Sequence, residues 1–134
     1  MELNGGCQCG AVRYRLKGDS AHAALCHCTD CRKSSGAPAV HWIAFPMSDF
    51  ELIQGELRDY QSSQLGTRRF CPTCGTGIAY VNETALPGLI DVQGATLDDP
   101  DALPPQAHIQ AAERLAYMET ANELPAFARY PGEG

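Results

Sequence analysis

Seven cysteines, Cys7, Cys9, Cys26, Cys28, Cys31, Cys71 and Cys74, are the residues of this 134-residue chain whose type and spacing could do chemistry. The sharpest local signal is Cys71-Pro72-Thr73-Cys74-Gly75, which has the spacing of a zinc knuckle. A tight turn of this kind aims two thiolates at one ion while its amides donate to sulfur, and Gly75 tolerates the left-handed backbone that follows. Two core cysteines beside a turn would be the plainer reading, and the flanking proline and glycine speak against it. A knuckle gives two ligands, whereas a closed tetrahedral zinc needs four.

Two donors compete to complete the set: Cys7 and Cys9, or two of Cys26, Cys28 and Cys31. Cys7-Gln8-Cys9 lies between Gly5-Gly6 and Gly10 and, like the knuckle, immediately precedes a strand pattern. Two strand-entry turns could converge on one ion, so Cys7, Cys9, Cys71 and Cys74 are assigned to a structural zinc. Metal binding at such a site is worth on the order of 10 kcal/mol of folding free energy. A domain of this length buries only about two-thirds of its unfolded surface and gains from the staple.

The remaining trio, Cys26-His27-Cys28-Thr29-Asp30-Cys31, can turn three thiolates toward a second ion with no fourth ligand close in sequence. Three protein ligands plus an exchangeable position is the make-up of a catalytic zinc. Cys31, in a helical turn beside Arg32 and Lys33, is expected to be ionised with its two companions. Three alternatives stay open: His27 or His41 closes the site, the trio is a redox sensor, or it is a metal-free cluster. His27, between two ligands, is expected to turn its ring away, and His22 and His41 read as partly buried strand or turn histidines.

The elements that must position these residues are short. Gly 13 and Pro 9 punctuate brief apolar alternations, the pattern of many short strands and a mainly β domain. Val12, Tyr14 and Leu16 alternate with Arg13, Arg15 and Lys17, which predicts a first strand with one buried face. Val40 to Phe45 is apolar on both faces, as in a central strand, and Pro46 closes it. Further candidates are residues 50–53, 57–61, 67–70, 77–81, 89–92 and 107–111. A helical turn is expected over Thr29 to Ser35, capped by Thr29 or Asp30 and ended by Gly36 and Pro38. Residues 98–101 resemble a capped turn, and 113–130 is irregular because Asn122 and Pro125 interrupt it.

Length and charge narrow the function. The chain reads as one domain over residues 1–134. Lys+Arg 10 against Asp+Glu 16 leaves a net charge of -6, which withdraws the counterion-release drive for nucleic acid and disfavours anionic membrane. No apolar run approaches the roughly 18 residues of a membrane span, and the start Met1-Glu2-Leu3-Asn4 has no basic or hydrophobic leader. A cytoplasmic protein is expected, and an odd number of thiols in a reducing compartment favours metal over disulfides.

The three cysteine-bearing segments together, residues 5–14, 26–36 and 70–76, resemble the glutathione-dependent formaldehyde-activating enzyme family, which also includes centromere protein V. The resemblance spans about residues 4 to 111. It implies a β-tent fold of short antiparallel strands with zinc knuckles, a structural zinc on Cys7, Cys9, Cys71 and Cys74, and a catalytic zinc on Cys26, Cys28 and Cys31. It further implies two zinc ions per chain and S-(hydroxymethyl)glutathione synthase chemistry, a carbon–sulfur lyase activity in reverse. The substrates so implied are a small thiol such as glutathione and an aldehyde such as formaldehyde. Arg32, Lys33 and Arg68 are candidates to hold a thiol's carboxylate, and His108 is a candidate pocket wall or packed strand histidine. The chain departs from the pattern at Gln110, where an aromatic residue is common, and at Tyr117, where a tryptophan is often found. A noncatalytic zinc-binding interaction module is the alternative beside the redox sensor.

Overall fold

The computed structural model describes residues 2–132. Among them are ten strands and one α-helix: β1 (Glu2–Gly6), β2 (Arg13–Lys17), β3 (His22–Cys26), α1 (Thr29–Ser35), β4 (Val40–Pro46), β5 (Phe50–Gln54), β6 (Arg58–Gln61), β7 (Thr67–Phe70), β8 (Gly77–Val81), β9 (Leu89–Gln93) and β10 (His108–Ile109). They form a three-stranded sheet, β1-β2-β5, and a seven-stranded sheet, β10-β3-β4-β9-β8-β7-β6. Strand pairs are antiparallel except β10 with β3. The mainly β expectation holds.

The alternation in β2 does what its pattern demands: Val12, Tyr14 and Leu16 are buried, while Lys17 is exposed. β4 lies inside the larger sheet between β3 and β9, with Val40, Trp42, Ile43, Ala44 and Phe45 all buried. Its two apolar faces are therefore both covered. Two strands escape the sequence pattern. β1 carries no apolar alternation; Gly5 lets it lie against Tyr14, because a Cβ there would strike the Tyr14 phenol and the Thr96 carbonyl. β3 has alanines where a strand pattern wants β-branched residues, yet β4 and β10 hold it from both sides.

The helix spans the expected residues with a different cap. Cys28, in extended conformation, accepts the Cys31 amide on its sulfur at 3.3 Å, while the Thr29 hydroxyl accepts from Arg32 Nη2 at 2.9 Å. Gly36 ends the helix in the left-handed region at φ 63°, donating to the Arg32 carbonyl. Toward the carboxyl end, β10 is shorter than its pattern because Gln110 adopts φ 54° and turns the chain. Asp98 pairs with Arg13 at 2.9 Å, and the 3₁₀ turn Pro100–Ala102 has no side-chain cap. Residues 113–130 hold only short 3₁₀ turns, as their interruptions predict.

The interior divides into two apolar clusters, and each takes part of the cysteine set. The larger contains Cys7 and Cys71 among Val12, Tyr14, Ile43, Phe45, Ile78 and Ile90. The smaller joins Cys26 and Cys31 to Val40 and Trp42, with Cys28 and Tyr80 packed against it.

Candidate metal centres

The quartet is built by two turns that the sheets bring together. The first follows β1: the Cys7 amide donates to the Val12 carbonyl at 3.1 Å, and Gly10 N–H to the Cys7 carbonyl at 3.2 Å. The second follows β7: Cys71 N–H donates to the Thr76 carbonyl at 3.0 Å, and Gly75, at φ 81°, donates to the Cys71 carbonyl at 2.8 Å. Amides also aim at sulfur, Val12 at Cys7 Sγ (3.2 Å), and Thr73 and Cys74 at Cys71 Sγ (3.4 and 3.5 Å). Such donors stabilise thiolate.

The four sulfurs lie within 4.8 Å of one another, with Cys7 to Cys9 at 3.6 Å and Cys9 to Cys71 at 3.9 Å. A tetrahedron with Zn–S bonds of about 2.3 Å has an edge of about 3.8 Å, whereas a disulfide needs about 2.05 Å. All seven cysteines are free thiols, and the quartet fits a metal. Thr76 is the residue that sequence reasoning missed here. Its hydroxyl accepts the Gln8 amide at 3.2 Å and lies 3.1 Å from Cys74 Sγ, so it ties the two turns together. The Thr76 hydroxyl and amide pull the Cys74 thiol down to about 5.

The trio gathers at the junction of β3 and α1. Cys26 ends the strand, Cys28 caps the helix, Cys31 sits in its first turn, and the three sulfurs lie within 4.8 Å of one another. Among the described residues no histidine joins the group. The His27 ring is buried and turned to His108, Nε2 to Nδ1 at 2.8 Å, and burial lowers its pKa. His41 stays half-buried in β4 and His22 half-buried in β3, with Asp91 3.7 Å away, as strand histidines do. His108, in β10, is exposed and pairs with His27 rather than packing as a strand histidine.

Burial pushes the Cys26 thiol up to about 12, and burial likewise raises Cys31 against the opposing pull of Arg68 and Trp42. The basic neighbour invoked from sequence is occupied elsewhere: Arg32 Nε donates to the His27 carbonyl at 3.2 Å. Buried thiols close enough to share one ion remain a fit for metal, which displaces their protons on binding.

Arg68 also departs from expectation. It is 7% exposed, with Nη2 2.6 Å from Asp30 Oδ2 and 3.7 Å from Cys31 Sγ, and its guanidinium lies 5.1 Å over the Tyr80 ring. Arg68 sits opposite Tyr80, at the buried position of β7. Beside it, a cleft of about 770 Å³ opens between α1 and the knuckle, lined by Lys33, Ser34, Arg69, Phe70, Thr76 and Gln93 among others. Asp30 and Arg68 line it too and bring it next to Cys31.

A fold of short antiparallel strands with two cysteine clusters able to hold metal defines a class, and sequence comparison places the chain within it. The model of the family described as glutathione-dependent formaldehyde-activating enzyme matches residues 2–113, which contain every cysteine; the chain belongs to that family. It is similar to a Halomonas elongata protein named "Putative glutathione-dependent formaldehyde-activating enzyme", 26% identical over 146 residues, covering 99% of this chain and 91% of the relative. A crystal structure of a Rhodobacter sphaeroides protein superposes with a TM-score of 0.63 at 26% identity, covering 79% of this chain and 99% of the other.

Proposed function

We propose that the chain is a single-domain zinc enzyme, over residues 1–134, that joins a small thiol such as glutathione to an aldehyde. One C–S bond forms: the thiol sulfur attacks the carbonyl carbon, and the thiol proton ends on the former carbonyl oxygen. The product is a hemithioacetal, and no oxidant or reductant is consumed. The reverse direction is a carbon–sulfur lyase reaction, and formaldehyde is the aldehyde in the family's description.

The observation that carries this reading is the unequal division of thiols, a quartet that can close a tetrahedron and a trio with no fourth protein ligand among the described residues. Cys7, Cys9, Cys71 and Cys74 then hold a structural zinc, and Cys26, Cys28 and Cys31 a catalytic one, two per chain. Zinc at the trio supplies Lewis acidity and favours the thiolate of a bound thiol. The chain's own residues supply position and exclusion. Trp42 and Val40 bury the back of the trio, and His27 is held away from it by His108. Lys33, in the wall of the cleft, is the residue we assign to receive a carboxylate of the thiol; Arg69 lines the cleft too but pairs with Asp59 at 3.5 Å. Arg32 and Arg68 are committed to protein partners.

Seven reduced thiols call for a reducing compartment such as the cytoplasm. No helix among the described residues is long and apolar enough to cross a membrane. The acidic balance gives nucleic acid no electrostatic footing.

Metal analysis with exchange spectroscopy tests the proposal. Two zinc ions per chain are expected, one lost in each of Cys26→Ser, Cys28→Ser and Cys31→Ser, together with the accelerated exchange of ¹³C-formaldehyde with glutathione. A wild-type chain holding one zinc that these substitutions leave in place, or no acceleration over thiol and aldehyde alone, overturns it.

A further inference from the structure

Arg68 presents an electrostatic imbalance that the proposed chemistry does not use. Its side chain is 9% exposed, and its Nε and Nη1 are buried without an acceptor among the described residues. A cation held so deep requires compensating negative charge. Asp30, which it touches through Nη2, is 62% exposed and well solvated, so it compensates weakly. The same Nη2 faces the buried Cys31 sulfur at 3.7 Å, and the Tyr80 ring holds the guanidinium in place. Negative charge gathered at the trio would lie directly against this guanidinium.

We propose that Arg68 is a positioning residue for the metal-bound trio: its fixed charge stabilises the Cys31 thiolate, and the Asp30 carboxylate, on the same Nη2, draws off part of that charge. The inference rests on the reading that the trio holds a metal. A merely structural role is the competing account, in which Arg68 clamps α1 to β7 through Asp30. The two accounts part at Asp30. A clamp is broken equally from either end, whereas a charge partner is freed for sulfur when Asp30 is neutralised.

The test uses the full zinc-loaded chain, a chromogenic chelator to withdraw metal, and cobalt(II) substitution to read sulfur-to-metal charge transfer. The quartet serves as an internal control. Arg68→Met is expected to weaken retention at the trio by about 10- to 100-fold, the usual effect of losing an outer-shell partner, while the quartet is unchanged and the cobalt band shifts. Arg68→Lys should recover part of the loss, and Asp30→Asn should hold the trio's metal at least as tightly as wild type. Unchanged retention in Arg68→Met, or a loss in Asp30→Asn equal to that in Arg68→Met, overturns the proposal. If Arg68→Met also loses the quartet's metal through misfolding, Asp30→Asn decides: retention supports the proposal and loss overturns it. A wild-type chain with a single metal equivalent instead overturns the metal reading of the trio itself.

Discussion

His27 Nε2 and His108 Nδ1 lie 2.8 Å apart, so the imidazole between two cysteines of the trio is held by β10 rather than by the sulfurs. The bond fixes the end of β3 against β10, where the Leu25 and His27 amides already donate to the carbonyls of Ala107 and Ile109. His108→Ala would strand a buried ring nitrogen, at a cost of about 1–3 kcal/mol. Urea unfolding is expected to show that loss while metal content stays at the wild-type value. Loss of a metal equivalent would mean that an imidazole is a ligand after all.

Thr76 makes the reciprocal case at the quartet. Thr76→Val keeps the shape of the side chain and removes the hydroxyl that accepts from Gln8 and meets Cys74 Sγ. Retention of the quartet's metal should fall about tenfold, with the trio unaffected, because hydrogen bonds to the coordinating sulfurs hold them in orientation. Chelator competition on the two sites in one sample measures both at once.

Asp91 supplies a pH dependence away from the cysteines. Burial raises its carboxyl to about 6, with His22 pulling the other way. Because the folded chain holds this proton more tightly than the unfolded one, stability falls as pH rises from about 4 to about 6 and stays reduced above that. Two units correspond to about 3 kcal/mol as an upper figure. Asp91→Asn should therefore gain on wild type at pH 7 and not at pH 3.5, read by denaturant midpoints at the two pH values. An equal change at both would remove burial of the charge as the cause.

Gly5→Ala tests the close approach of β1 to β2. The added methyl would meet the Tyr14 phenol and the Thr96 carbonyl, displacing the 2.6 Å Tyr14–Thr96 hydrogen bond. A loss of about 1–3 kcal/mol is expected from this overpacking. Gly10→Ala is the comparison: nothing lies within 4 Å of its Cβ position, so its cost comes only from φ 84°.

The grouping of the seven cysteines was legible because ligand spacing is local: a Cys-x-x-Cys turn and a Cys-x-Cys turn each carry their own signal. So were β2 and β4, whose apolar periods match their burial. What escaped depends on partners distant in sequence. β1 is a strand because Tyr14 and Leu97 accept it, not because Glu2–Gly6 looks like one. Cys28 caps α1 with sulfur, a role that hydroxyls and carboxylates usually take. The cation that reaches the trio's sulfur escaped too, because it comes not from the adjacent Arg32 or Lys33 but from β7, 37 positions on from Cys31.

The meeting of Cys9 and Cys71 across 62 positions sets an order on biosynthesis. The amino-terminal turn emerges from the ribosome long before the knuckle that completes its quartet, and the trio emerges in between. During that interval five thiols are exposed together, free to share a metal or to oxidise in combinations the finished protein does not use. The quartet can close only once the last two cysteines have emerged, so the brace it gives the fold comes after β1 to β7 have been made.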